Sequence, residues 1–518
     1  MPIAKSESLF LLVKSLSKSE KRSFKLYVGR NQDAKDSLYI QLFDLLDKSE
    51  GPNDILLKKK LGNVSNAAYS NLKKHLFEQL MIVLRLLNKE KKQNFKIREY
   101  IDFSYILYGK GLHWQALEVL EKAKKLSNKH FNDFSLMTII ELEKLIQSRH
   151  ITRTKSDSIN ELIDQSEHLS TRVHYRIKLS NLRLKLHKQY VEKGHVESRE
   201  KEVLLMDFFS KSIQEIDESK LDGIEEIYYY QSFVWFHYLL DQFEECLKWS
   251  IKWVNAFKNS EELQKRDVDL FMRGFHYVLT SSFNIKDTAT HEKYLNELSE
   301  YRNNNYSKLN HNSQIVSFQY VHNGRMNLHF LNGTFEEGLH NIPRTLKRVN
   351  RYSNKLDYHK IMVIYYKVAW MYIGAGEPQK GLFYLDYIIN LTNKSLREDI
   401  QTYARIMKLI GLFDMEEFNL ILKYSKDFLL FYDKLNHPNQ VQLTVLKMIE
   451  NLSSAPILSR KEILIENYQK LKLLKEKNFE KRAFIYLDVL PWILSKIERK
   501  RIGVCIRHNL KHSKSFNS

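Results

Sequence analysis

Glycine and proline are scarce: 16 and 7 among 518 residues. A β protein needs Gly, Pro, Asn or Asp at many hairpins, so turn chemistry this sparse argues against a sheet-based fold. Cysteine is scarcer still. Cys246 and Cys505 lie far apart, outside any CxxC or His-rich cluster, which argues against a disulfide framework or a zinc site. No run of about 18 uncharged apolar residues exists, so no membrane span is expected. Near the start the apolar run Leu9–Val13 is too short for a secretory signal, and Lys14 and Lys18 interrupt its continuation. These absences together lead to an expected cytoplasmic location. Catalytic signatures are missing as well: no Walker-type loop, no HExxH, no GxSxG and no dinucleotide fingerprint. His508 and His512 share a helical i, i+4 spacing, but the basic stretch around them reads as a solvated tail. The expectation is a protein that binds, not an enzyme, with no cofactor and no metal.

The apolar residues recur at helical spacing, which predicts an all-α fold. A chain of 518 residues exceeds the size of one compact core. Its 82 Lys and Arg against 62 Asp and Glu give a formal net charge of +20. Residues 1–97 hold 19 basic and 10 acidic residues, and residues 496–518 hold seven basic residues against Glu498. Both ends are therefore the basic parts. Such clusters suit either a solvated surface or contact with a polyanion.

Residues 1–90 read as an N-terminal helical block. Ser17 or Ser19 can cap a helix through Phe24 and Tyr27, and Asp36 or Ser37 a second one. Gly51-Pro52-Asn53 stops that helix, Asp54 caps a short one, and a longer helix runs from about Ser65 to Leu87. Within this block Leu56–Leu76 resembles a helix-turn-helix. Its second helix carries Asn66, Tyr69, Ser70, Asn71, Lys73 and Lys74, which in a DNA reader would meet base edges and phosphates. The same helix continues into FEQLMIVLRLL, which looks like core packing, so the block also reads as a cap over a repeat array. Residues 88–97 are polar and basic and read as a bridge.

A repeat array is expected over 91–500. In YGKGLHWQALEVLEKAKKLSNK, Gly111 sits at a turn, and Ala116, Leu120 and Ala123 line one helix face, with Ser104 as the facing small residue. The pattern returns at Phe243 and Cys246, and again at Gly333, Phe335 and Gly338. A fourth copy carries Ala369, Tyr372, Gly376, Gly381, Leu385 and Ile388. A fifth, more distant copy spans LIGLFDMEEFNLILKYSKDFLLFY. These stretches resemble the tetratricopeptide repeat, TPR. Cys246, Gly338 and Gly381 replace the usual Ala, and the step from Gly338 to Gly381 is 43 residues, longer than a simple TPR. Helix pairs at 133–168, 172–217 and 264–302 are placed by periodicity alone. The expected architecture is a TPR-like α-solenoid of elongated, irregular pairs. FEKRAFIYLDVLPWILSKIERK reads as a closing helix pair, with Pro491 as a kink or restart, and 501–518 as a basic, polar tail. The ends of the chain, with KDFLLFYDK, resemble a bacterial family of TPR-like proteins; that resemblance implies a fold and carries no activity with it.

In TPR arrays the first helix of each pair lines a groove. Carried over from the turns, the groove positions fall on Tyr228, Gln231, Trp235 and Tyr238, on Tyr320, Asn323, Asn327 and Phe330, and on Tyr366 and Trp370. Tyr105 and Tyr108 are the first copy's equivalents. Aromatic planes interleaved with amides suit an extended peptide. The leading expectation is a scaffold that binds a protein or peptide. The alternative is a regulator whose N-terminal block binds DNA while the repeats sense a peptide.

Overall fold

The structure, a computed structural model, describes residues 5–29, 38–89, 92–150, 156–196, 198–352, 356–391, 397–433, 439–477 and 479–515. Every regular element among them is a helix. Two compact units divide the chain, Met1–Val173 and His174–Ser518, and each is described by itself.

The first unit opens with α1 (Lys5–Ser15), α2 (Lys18–Gly29), α3 (Leu38–Lys48), α4 (Asp54–Lys60) and α5 (Asn66–Lys89). Ser17 and Glu20 form a reciprocal capping box that starts α2. Asn53, not Asp54, caps α4, its side chain accepting from Leu56 N at 3.0 Å. Asp36 and Ser37 lie outside the described residues. Val13, Phe24, Leu42, Phe43, Tyr69, Leu76 and Leu80 close a core between these helices. Next come α6 (Gln93–Gly109), α7 (His113–Lys129) and α8 (Asp133–Arg149). The polar stretch read as a bridge thus belongs mostly to the end of α5 and the start of α6. Ser104 donates to the Ala116 carbonyl at 3.1 Å, and Ala116 and Ala123 are fully buried, so the small residues do permit a close crossing of α6 and α7.

The division falls within α9 (Ser156–Lys193), which runs unbroken through the gap expected between residues 168 and 172. The second unit continues with α10 (Arg199–Ile213), α11 (Ile224–Leu239), α12 (Phe243–Lys258), α13 (Glu261–Arg266), α14 (Val268–Asn284) and α15 (Thr288–Asn305). Then follow α16 (His311–Asn332), α17 (Phe335–Leu339), α18 (Ile342–Tyr352), α19 (Tyr358–Gly374) and α20 (Pro378–Ile389). The last are α21 (Glu398–Asp414), α22 (Phe418–Tyr432), α23 (Gln440–Ser454), α24 (Ile457–Lys475), α25 (Ala483–Tyr486), α26 (Leu490–Glu498) and α27 (Ile502–Ser515). In chain order α14 packs on α16, α16 on α19, α19 on α21 and α21 on α23, each also packing on the helix that follows it. The first helices of successive pairs therefore form one row.

One turn recurs between many consecutive helices, though not between α23 and α24, where Ala455 is extended. A left-handed residue is followed by the residue before the next helix: Gly111, Phe131, Asp241, Lys286, Gly333, Gly376 and Glu416 all have positive φ. From Asp241 onward these turns recur at steps of roughly 40–47 residues. Only three of the seven are glycine, the residue that takes this conformation without strain.

The C-terminal part departs from the expected closing pair. After the short α25 the chain leaves helical geometry, and Leu487 is extended at φ −149° and ψ 101°. Pro491 lies in the first turn of α26, where its missing N–H costs nothing. Beyond Lys500 the chain is helical, not a polar tail: Ile502 and Cys505 of α27 are buried, and α27 packs on α16. There the backbones of Gly333 and Gly503 touch, so a Cβ on either would collide with the other.

Candidate functional site

Within the second unit Trp235, Tyr320 and Asn327 each contact the neighbouring first helix of the row. On α11, the Arg183 guanidinium lies 3.9 Å over the Tyr228 ring and donates to Gln231 Oε1 at 2.8 Å. Trp235 is buried among His187, Tyr190, Tyr238 and Tyr277, with ring centroids 4.8–5.8 Å away. On α16, Tyr320 stacks on His276 at 4.5 Å, and Asn327 accepts from Lys367 Nζ at 2.6 Å. Asn323 is buried, and its Oδ1 has no partner among the described residues. Phe330 and Trp370 pack on Phe335 instead. In the first unit, Tyr105 is exposed and the Tyr108 hydroxyl accepts from Arg149 at 3.2 Å.

Basic and imidazole side chains that the sequence did not reveal share this face. Arg273 and His276 of α14, His359, Lys360 and Lys367 of α19, and Arg183 and His187 of α9 surround the rings. Arg273 and His187 remain exposed, and Arg183, His276, Lys360 and Lys367 half-buried, so water reaches the face. Burial, then the charges of Lys367, Arg273 and Lys360, push the His276 imidazole down to about 3. Burial alone pushes the Lys367 amine down to about 7. Burial and the Arg397 guanidinium push His359 down to about 4, while Arg397 itself forks onto Asp399 at 2.8 and 2.5 Å. α14 offered only periodicity in the sequence, with no glycine at its turn, so its groove positions could not be registered.

At one side of the face lies the protein's own C-terminal segment. Arg482 donates to both Asp241 and the Val196 carbonyl, and its Nε stands 3.0 Å from Asp241 Oδ2. His195 Nδ1 flanks the same carboxylate at 2.7 Å. Tyr366 donates its hydroxyl to the Tyr486 carbonyl at 3.0 Å, and the Tyr486 ring stacks on Tyr403 at 4.9 Å. Asp488 accepts from Lys286 at 2.9 Å and Lys475 at 3.1 Å. Trp492 donates to Asp414 at 3.0 Å, Arg501 to Glu336 at 2.8 Å and Arg507 to the Gly333 carbonyl at 2.6 Å. The segment thus meets successive turns between paired helices, and two non-glycine left-handed residues, Asp241 and Lys286, supply its charged anchors. Burial would raise the Asp241 and Asp488 carboxyls; His195 with Arg482, and Lys286 with Lys475, more than offset it and hold both below the usual carboxylate range.

In the first unit the helix-turn-helix-like residues divide. Tyr69 is buried, donating its hydroxyl to Asp54 Oδ1 at 3.0 Å, and Lys73 pairs with Asp54 Oδ2 at 2.9 Å over the Tyr69 ring. Both tie α5 to α4, so neither is presented to a ligand. Asn66, Ser70, Asn71 and Lys74 are exposed, with Asn66 accepting from Lys58. A groove of about 660 Å³ between α7, α8 and the start of α9 carries both signs of charge, and its Lys124–Glu143 pair is already closed at 2.8 Å. No group of three metal-ligating side chains occurs among the described residues, and no helix there is long and apolar enough to cross a membrane. A scan against protein-family models finds no match for this chain, and neither curated proteins nor solved structures show one.

Proposed function

We propose that the protein is a TPR-like solenoid scaffold whose first helices bind an extended, acidic peptide segment of a partner protein. The observation that carries this reading is the grip on Arg482–Asp488. Side chains from separate helices and turns hold its backbone and its charges, as they would hold a peptide in a groove. The rest of the face, around Arg183, Arg273, Lys360 and Lys367, offers cations and rings without a chain lying on them. Cations beside aromatic planes select carboxylates flanked by apolar side chains. Asn323, with an unpaired carbonyl, can accept from a peptide N–H. A cytoplasmic location suits such a scaffold and its free thiols.

Screening a displayed library of random peptides against the full chain tests this. Enriched sequences should be rich in Asp and Glu, and Arg273→Ala with Lys360→Ala should abolish capture at an unchanged melting temperature. Failure to enrich any peptide, or capture that survives the double substitution, would overturn the reading. A second reading, DNA binding through α5, is favoured by the exposed face Asn66, Ser70, Asn71 and Lys74. It requires retention on duplex DNA that falls steeply with salt and is lost in Asn71→Ala/Lys74→Ala.

A further inference from the structure

The opposite side of α16 carries a second constellation, independent of the peptide face. His322 and Arg325 lie about 200° around the helix from Tyr320 and Asn323, at 100° per residue. Facing them are Arg302 near the end of α15 and Arg344 and Arg348 on α18. Burial and the neighbouring guanidiniums of Arg348 and Arg325 depress Arg302; burial, Arg344 and Arg348 depress Arg325. All four arginines act on His322, which burial and their charges push down to about 3. Its Nδ1 is fixed by the Thr345 hydroxyl at 2.7 Å. Among the described residues no carboxylate lies within ion-pairing distance of any of the four arginines.

Packing holds the cluster in place. Arg302 is only 9% exposed, its guanidinium 4.9 Å over the Tyr306 ring, and its Nε has no hydrogen-bond partner. Arg348 lies 5.9 Å over Phe318, which also contacts His322 at 4.6 Å. Arg325 and Arg348 are half-buried and Arg344 exposed, so the cluster has an open side. Four like charges held together repel one another, and an unpaired buried guanidinium is costly. The two costs are relieved together by a compact, multivalent oxyanion. A carboxylate brings one charge, whereas a phosphate dianion brings two and enough oxygens for several guanidinium forks.

We propose that Arg302, Arg325, Arg344 and Arg348 form a binding site for a phosphate dianion, free or esterified. The site is one compact cluster, not a stripe along a helix, and this favours a single phosphoryl group over a nucleic-acid backbone. The test uses the full chain and calorimetry with inorganic phosphate and with phosphoserine, against sodium chloride at equal ionic strength. Binding of inorganic phosphate alone identifies a free-anion site; binding of phosphoserine as well identifies a phosphorylated group. Arg344→Gln and Arg348→Gln, on the open side, should each weaken binding about tenfold without altering the fold seen by circular dichroism. Equal heats from phosphate and chloride, or unchanged affinity in both variants, would overturn the proposal. So would tight oligonucleotide binding, dependent on these arginines, without binding of inorganic phosphate.

Discussion

Arg482 and Asp241 are 241 residues apart in sequence and 3.0 Å apart in the fold. Both side chains are largely withdrawn from water, at 13% and 6% exposure. An ion pair in that setting contributes through the cost of breaking it, because removal of one partner leaves the other buried and uncompensated.

Arg482→Ala should therefore lower stability by about 3 kcal/mol, the order found for a broken buried pair. Urea unfolding measures the loss. Amide exchange at residues 482–489 should accelerate more than exchange in α19. Uniform acceleration across the second unit would show that the segment is not separately anchored.

Acid should release the same segment late. Asp241 and Asp488 have folded-state pKa values below that of an unfolded aspartate, about 3.9. A depressed carboxyl contributes stability that is fully present above the unfolded value and is lost as pH falls through the folded one. The attachment should hold down to about pH 4 and fail below it. Fluorescence of Trp492 followed against pH should show that step, and Asp488→Asn should diminish it.

Lys367 behaves in the opposite range. Its amine falls from 10.5 to about 7 on folding, so between those values the unfolded chain binds the additional proton and stability rises with pH. Lys367→Met should flatten that rise in thermal melts recorded from pH 7 to 10. An acidic peptide on this face would restore the charge, so binding at pH 8 should take up a proton. Calorimetry in buffers of different ionisation enthalpy measures the uptake, and its absence would remove Lys367 from the peptide contact.

Two glycines separate packing from backbone strain. A Cβ at Gly374 would overlap the Phe335 ring, so Gly374→Ala should cost about 1–3 kcal/mol through overpacking. Gly376 has open space around it but φ of +84°, so Gly376→Ala should cost roughly 1 kcal/mol through conformation alone. Chemical denaturation of both variants distinguishes the two effects, since Phe335→Leu should rescue only the first.

The all-helical class was legible because apolar spacing and the scarcity of turn residues act locally. The pairs at Gly111, Gly333 and Gly376 were legible for the same reason: a left-handed turn announces itself when glycine occupies it. The turns at Asp241, Lys286 and Glu416 adopt that geometry without glycine; the flanking apolar pattern still registered the copies at Asp241 and Glu416, but α14, with Arg273 and His276, was placed only by periodicity. Of the expected groove positions, Gln231, Trp235, Tyr320, Asn323 and Asn327 are buried, so they pack between helices, which spacing along one helix does not distinguish from a surface role. The course of residues 482–507 was not legible. It depends on partners such as Asp241, Lys286 and Gly333, more than 150 residues upstream, and no periodicity encodes such pairings.

The late position of those residues has a consequence for synthesis. Asp241, Lys286 and Gly333 leave the ribosome roughly 170–240 residues before the residues that complete them. Until Arg482, Asp488 and Arg507 follow, the nascent second unit carries uncovered rings and an Asp241 carboxylate flanked by His195 alone. Its packing awaits residues 482–507, so truncation near Lys475 should leave a helical but sticky product, drawn to chaperones rather than to a native state.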